Sequence, residues 1–314
     1  MPALPQKQGG VEKSKANIVL SPGMPNANVI VEKQLEDRLT DLQKETGADV
    51  LTLVSPIFGG LEEYLRDSIE EIENKKKKLA IVLETTGGYI EVVQRMVDTI
   101  RHNYRLVEFI IPNSAMSAGT VFAMSGDEIY MDYFSILGPI DPQIEKGDGF
   151  IPALGYLIQY ERLIRKSQNG GLSLAEMSYL VERFDPAELY AYEQAKELSV
   201  ALLKEWLVKY KFKNWKRTET RGVHVTKEMK KARAEEVANK LNDTNFWHSH
   251  GRGISMEILK RHLKLLIVDF GATIPLRDAI KAYHRLLMDY MIKRGYRAII
   301  HTQGNLKPLI AQRG

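Results

Sequence analysis

The constraint that most narrows the fold lies between residues 79 and 126, where two apolar runs each lead through a turn of glycine or small residues into a helical pattern. Leu79-Ala-Ile-Val-Leu83 is continuous and partly β-branched, as expected of a strand buried on both faces of a mainly parallel sheet. Gly87 and Gly88 follow its C-terminal end, and Ile90, Val93, Met96, Val97 and Ile100 then recur at helical spacing, so the glycines sit on a strand-to-helix turn. Leu106-Val-Glu-Phe-Ile-Ile111 repeats the pattern, closed by Pro112 and Asn113 and followed by a small-residue helix expected over Ala115 to Met124. Upstream, a helix is expected over Val31 to Glu45, ended by Gly47, then a strand at Asp49–Val54 and a helix over Leu61 to Lys75. This βαβαβ order predicts an α/β fold with a mainly parallel sheet and right-handed crossovers.

Ligands of open α/β sheets bind outside the carboxyl ends of the strands, so the two turns are where chemistry is expected. A glycine there brings a backbone N–H close to a substrate carbonyl. Ser117, at or near a helix N-terminus, stands where unpaired N–H groups favour a developing oxyanion; the N–H of Ala118 would be the second donor beside Gly88. Against this, Ser114 or Ser117 can be a plain helix N-cap, and paired glycines can be only a turn.

The ordered pieces Glu84-Thr-Thr-Gly-Gly-Tyr, Asn113-Ser-Ala-Met-Ser-Ala-Gly-Thr, Asp127-Glu-Ile-Tyr-Met and Leu137-Gly-Pro-Ile-Asp-Pro-Gln resemble the Clp-fold serine proteases, and among them most the serine dehydrogenase proteinase family, relatives of the Clp proteolytic subunit and signal peptide peptidase A. The likeness is specific over residues 79–145 and looser through Trp247-His-Ser-His-Gly-Arg252 to Leu265-Leu-Ile-Val268. It implies a Clp/crotonase-like fold and a peptidase with Ser117 as nucleophile and Gly88 and Ala118 as oxyanion donors. The stretch Ser135–Asp141 lacks the base histidine of the Clp proteolytic subunit. The family's reordered triad would map onto Ser117, Asp141 and a later histidine, for which His250, in a Gly/Ser-rich turn before an expected helix over Ser255–Lys264, is the choice. The lysine dyad of the signal peptide peptidases makes Lys146 or Lys166 the competing base. A crotonase-type acyl-CoA enzyme shares the fold but would not need Ser117.

These residue types fit the chemistry. A serine hydroxyl is a poor nucleophile until a base accepts its proton, and histidine is poised for that near neutral pH. Aspartate would fix the imidazole tautomer, whereas a lysine would need strong burial to lose its proton. Asp141 also reads as an ordinary turn residue before Pro142, and Asp127 as structural. His248 and His250 alternate as two zinc ligands do, but a third ligand at recognisable spacing is missing even with His262, so no metal is expected. His102, His224, His284 and His301 read as ordinary surface or core histidines. No cofactor is required.

At 314 residues, 44% hydrophobic and 27% charged, the composition is that of a globular protein with a substantial core. The absence of cysteine excludes disulfides, thiolate metal sites and a cysteine nucleophile. With neither a membrane-length apolar stretch nor a signal-peptide core, a cytoplasmic location is expected. Residues 1–15 are expected to form a disordered tail, 16–145 the α/β core, and 146–314 a helical extension of the same fold with closing strands. Helices are expected from Asp185-Pro-Ala-Glu188 to about Tyr210, over Val225–Leu241 and over Pro275–Arg294, with a last strand at Tyr296–Ile300.

Between Lys204 and Arg233 stand eleven Lys or Arg and three Glu, interleaved with Trp206, Tyr210, Phe212 and Trp215, in a chain of net charge +4. Basic residues among aromatics suit nucleic acid or an anionic membrane surface, and the rival to a peptidase is a non-catalytic oligomeric scaffold that binds nucleic acid or a protein partner through residues 204–233; a solvated helix face with its aromatics turned inward is the favoured reading. The Clp resemblance implies a peptide or unfolded-protein substrate, a trimer-based or ring homo-oligomer, and a possible ATPase partner.

Overall fold

The structure, a computed structural model, describes residues 26–140, 143–146, 149–247, 249 and 251–309. Asn26 caps the first helix, α1 (Ala27–Thr46), by accepting the N–H of Asn28 and Val29, and Gly47 ends it in the left-handed conformation,. There follow β1 (Asp49–Val54), α2 (Leu61–Glu70), β2 (Lys78–Glu84), α3 (Ile90–Asn103), β3 (Leu106–Ile110), β4 (Ser114–Ala115), α4 (Ala118–Met124), β5 (Glu128–Met131) and β6 (Ile136–Leu137). A hairpin, β7 (Gln143–Lys146) and β8 (Gly149–Pro152), leads into α5 (Ala153–Gln168), α6 (Leu174–Arg183) and α7 (Pro186–Trp206), which runs on as a π-helical turn over Leu207–Lys211. The chain closes with α8 (Lys227–Leu241), α9 (Thr244–Trp247), β9 (Ile254–Ser255), α10 (Met256–Arg261), β10 (Val268–Asp269), α11 (Ile274–Arg294), β11 (Ile299–Thr302) and β12 (Asn305–Pro308).

The central sheet has the order β10-β5-β3-β2-β1-β11-β12. β1, β2, β3, β5 and β10 are parallel, and β11 and β12 add an antiparallel edge. Because successive crossovers from β1 to β5 step the same way along the sheet and share one hand, their helices fall on one face. That face packs α2, α3 and α4, backed by α7 and α8, on Leu51, Leu53, Leu79, Ile81, Leu83, Val107 and Phe109. The other face packs α1 and α11 on Val50, Ala80, Val82 and Ile299. Both faces of the parallel strands are thus covered, which is why Leu79–Leu83 reads as an unbroken apolar run. A small separate cluster of Leu157, Phe184, Leu189 and Tyr192 holds α5, α6 and the start of α7 together.

Several boundaries depart from the sequence expectation for tertiary reasons. The helix expected to reach Lys75 stops at Glu70; Asp49 takes the Lys76 N–H at 2.8 Å and the Lys76 ammonium caps the Ala48 carbonyl at 3.0 Å, drawing the lysine run onto the sheet. The helix expected from Ala115 starts at Ala118, because Ser114 and Met116 pair with Thr85 in strand fashion. The expected last strand at Tyr296–Ile300 forms over Ile299–Thr302; Gly295 is the left-handed cap of α11, and the Tyr296 N–H still bonds back to Met291. Helices α5 and α6 and the β7–β8 hairpin were not separated by the sequence pattern.

Candidate active site

β2 runs on past Glu84 between two neighbours. On one side Thr85 donates its N–H to Ser114 and accepts the N–H of Met116, both at 3.0 Å. On the other, the Gly87 carbonyl accepts the Ile57 N–H at 2.8 Å and the Tyr89 N–H reaches the Ile57 carbonyl at 3.0 Å. A trans peptide holds its N–H opposite its C=O, so the Gly88 N–H points away from Ile57, toward the side on which Ser114–Ala118 lies. The two glycines are required for different reasons. At Gly87 (φ 93°) a Cβ would stand 2.7 Å from the Met116 carbonyl oxygen and 2.8 Å from the Ser117 Cβ; at Gly88 (φ 145°) it would stand 1.9 Å from the Ile57 carbonyl oxygen. Sequence reasoning chose Gly88 and passed over Gly87, which is the glycine packed on Ser117.

Ser117 stands between β4 and α4 with φ 52° and ψ −120°, a conformation that costs a non-glycine residue about 1–3 kcal/mol. Asn74 and Lys264, the other described non-glycine residues with positive φ, are exposed, whereas Ser117 is 2% exposed. Its neighbours hold it there. The Met116 carbonyl accepts the Gly119 N–H at 2.8 Å, and the Ser117 carbonyl accepts the N–H of Thr120 at 2.8 Å. The side chain of Ser117 makes no cap bond to α4, so it does not serve as the N-cap that its position allowed. Among the described residues, no acceptor meets the N–H of Gly88 or that of Ala118. Gly119 lets Thr85 approach; a Cβ there would lie 2.2 Å from the Thr85 methyl. Thr120 Oγ1 lies 2.9 Å from both the Ala115 and the Gly138 carbonyl oxygens and accepts the Gly138 N–H at 3.0 Å, tying α4 to the segment after β6. Thr85, Gly119 and Thr120 were not singled out from the sequence, although a Thr two residues before a glycine is a turn signal.

A second, three-stranded sheet arranges the rest, in the order β4-β6-β9. β4 and β6 are parallel, with Ser114 opposite Ile136 and Ala115 opposite Leu137; β9 runs antiparallel to β6, with Ile254 opposite Leu137. The carboxyl ends of β4 and β6 and the amino end of β9 therefore share one edge. Ser117 follows β4 at that edge. Asp141 and His250 lie outside the described residues, as does His248, and of Lys146 only its place on β7 is described. Lys166, on α5, is 48% exposed at its side chain and paired with Glu176 at 2.6 Å. Among the described residues no group of three or more His, Asp and Glu is arranged to hold a metal.

On the opposite face of the sheet, His284 Nε2 lies 2.6 Å from Glu84, whose other oxygen accepts the Asn113 side-chain N–H at 2.7 Å; Asn113 leads directly into β4. His301 is buried and lies 2.8 Å from the Tyr283 hydroxyl, which donates to Thr52. At the far end of the sheet Asp127 binds Arg101 at 2.9 Å, Lys213 and the Val107 N–H. Burial raises the Asp127 pKa, but the bonds from Lys213, Val107 and Arg101 outweigh it and hold the carboxyl below its ordinary value. In the basic segment, Trp206 and Phe212 are buried and Tyr210 and Trp215 pack against the core. Lys213 is engaged by Asp127, and Lys204 by Glu235 at 3.3 Å.

A mainly parallel sheet whose glycine turn abuts a serine held at the start of a helix defines the class: a ClpP-like α/β fold. The chain belongs to the ClpP-like SDH-type serine proteinase family, whose model matches residues 61–227. That match spans Gly88, Ser117, Ala118, Asp141, Lys146 and Lys166 and stops short of His250. Two proteins of Methanocaldococcus jannaschii are similar: the uncharacterized protein MJ1495, 26% identical over 51% of this chain and 57% of that protein, and the uncharacterized protein MJ0137, 28% identical over 52% of this chain and 63% of that protein. The chain thus matches less than two thirds of either relative's length. A solved structure, a point mutant of the 1510-N membrane-bound stomatin-specific protease, matches 46% of this chain and 74% of its own at 19% identity, with a TM-score of 0.29, a superposition too poor to carry an inference. No helix among the described residues is long and apolar enough to cross a membrane.

Proposed function

We propose that the chain is a serine peptidase that cleaves peptide bonds through an acyl-enzyme on Ser117, with His250 as base and Asp141 as its orienter. The observation that carries this reading is the backbone of Ser117, held at φ 52° and ψ −120° against Gly87, with the N–H groups of Gly88 and Ala118 unclaimed among the described residues. Strain of this kind persists only where the surrounding structure imposes it, and it clusters at active sites. Ser117 Oγ attacks the scissile carbonyl carbon as its proton passes to the His250 imidazole. The carbonyl oxygen, now an oxyanion, is held by the Gly88 and Ala118 N–H groups, each worth on the order of 10²-fold in rate. The imidazolium returns its proton to the departing amine, and water, activated by the same base, then releases the acid and restores Ser117.

The three-stranded sheet supports the assignment of Asp141 and His250. In the sequence Asp141 comes four residues after β6 and His250 four before β9, and Ser117 comes two after β4; these three strands are neighbours in one sheet. The exposed ion pair of Lys166 with Glu176 favours His250 over that lysine, since a lysine base requires burial of its amine. The substrate class is peptide or unfolded protein. The test is labelling with a fluorophosphonate probe and mapping of the modified residue: label on Ser117, absent from Ser117→Ala, is expected, and equal labelling of the two proteins would remove Ser117 from the role.

A further inference from the structure

We infer that Thr85 is the positioning residue that locks the Gly87–Gly88 turn against Ser117, its hydroxyl holding the Gly87 end of the turn while Ile57 holds the peptide that carries the Gly88 N–H; this rests on the serine-hydrolase reading above. Thr85 is 3% exposed and is bound from every side. Its backbone N–H and C=O pair with Ser114 and Met116, the residues leading to Ser117. Its methyl occupies the space over Gly119, just beyond Ser117, where a Cβ would lie 2.2 Å from it. Its Oγ1 accepts the Gly87 N–H at 3.1 Å. One side chain therefore touches the turn on the oxyanion strand and the helix behind the nucleophile.

The hydroxyl matters because of what it holds. Gly87 and Gly88 have φ values of 93° and 145°, and glycines in this region rotate with little steric resistance. The peptide joining them is held at its carbonyl by the Ile57 N–H, while the peptide before Gly87 is held by Thr85 Oγ1. Release of the second hold leaves the peptide before Gly87 free to turn, so that only the pairing with Ile57 still aims the Gly88 N–H and the turn loosens on its Ser117 side. An oxyanion donor acts by being aimed before the charge develops, so loosening it is felt in the transition state more than in the bound substrate. The Thr85 methyl fills space and does not take part in this hold.

The experiment compares Thr85→Val, which keeps the shape and deletes the acceptor, with Thr85→Ser, which keeps the acceptor and deletes the methyl. Rates of Ser117 labelling by a fluorophosphonate and kcat and KM for a p-nitrophenyl ester are measured, with thermal melting as a folding control. Thr85→Val is expected to lose at least about 10-fold in labelling rate and in kcat, with KM within about 3-fold of wild type, and Thr85→Ser to keep most of both. Should Thr85→Val fail to fold, Thr85→Ala against Thr85→Ser makes the same comparison of acceptor absent and present. A valine variant that labels at the wild-type rate, or a serine variant as impaired as valine, overturns the role of Thr85 and leaves the hydrolase reading standing. Wild-type protein that labels elsewhere, or equally in Ser117→Ala, overturns that reading and this inference with it.

Discussion

Gly87 is packed directly on Ser117: a methyl group added to Gly87 would stand 2.8 Å from the serine Cβ and 2.7 Å from the Met116 carbonyl oxygen. The closeness joins the strand-to-helix turn after β2 to the residue between β4 and α4. It leaves no room for a side chain between the glycine turn and Ser117.

Gly87→Ala is therefore expected to reduce fluorophosphonate labelling by about 10²-fold or more, since the added carbon must push Ser117 or the turn aside. Gly88→Ala should be worse for the fold, because its Cβ falls 1.9 Å from the Ile57 oxygen and must break the bridge between Ile57 and Gly88. Gly59→Ala, where nothing lies within 4 Å, is the control and should label normally. Labelling kinetics with a thermal melt on each variant check all three; a Gly87→Ala protein that labels like wild type would show that the packing is not needed for reactivity.

The backbone of Ser117 makes a separate prediction about stability. Ser117→Gly and Ser117→Ala both lack the hydroxyl and should both be inactive, but only glycine accepts φ 52° with ψ −120° without strain,. Relief of about 1–3 kcal/mol of strain, less about 0.5–1 kcal/mol of backbone entropy, should leave the glycine variant more stable than the alanine variant by about 1 kcal/mol. Paired urea melts measure the difference. An alanine variant equal to or more stable than glycine would mean that the site stores no strain.

How much of this was legible in the sequence depends on the range of the interactions concerned. The βαβ core is local: Leu79–Leu83 and the spacing Ile90, Val93, Met96, Val97, Ile100 read directly as β2 and α3. The glycine pair was legible as a turn, but which glycine faces Ser117 depends on pairing with Ile57, about thirty residues upstream. β4, β6 and β9 are two residues long each, too short for any periodicity, so the sheet that flanks Ser117 left no pattern to read. The start of the helix at Ala118 instead of Ala115 has the same cause, since Thr85 pulls Ser114 and Met116 into strand pairing. Trp206 and Phe212, expected from the sequence to turn inward, are buried where α7 and the turn after it pack against the core.

The identity of the base is decided by substitution and pH together. With His250 as base, His250→Ala should lose about 10³-fold or more in kcat, Asp141→Asn should also fall steeply, and wild-type activity should rise with pH through the ordinary histidine range near about 6.5. Lys146→Ala and Lys166→Ala should remain active; for Lys166 the loss is only an exposed ion pair with Glu176,. A folded, active His250→Ala enzyme would pass the role to a lysine.

Lys211 tests the electrostatics of the far end of the sheet. It closes the π-helical turn Leu207–Lys211, and its ammonium lies 3.5 Å from the Asp127 carbonyl oxygen, while the Asp127 carboxylate is taken by Arg101 and Lys213. Burial lowers its pKa from 10.5 to about 8, against the attraction of Glu128 and Asp127. Between those two values the unfolded chain carries the proton and the folded chain does not, so folding stability rises with pH across that window and the full cost of the buried charge is felt below about pH 8,. Lys211→Met keeps the length and removes the charge. It should raise stability by about 1–3 kcal/mol at neutral pH, and the gain should shrink as pH rises from about 8 toward 10.5. Urea melts of both proteins at neutral and at alkaline pH measure this directly. A variant less stable than wild type at neutral pH would mean that attraction to Asp127 and Glu128 outweighs the loss of hydration.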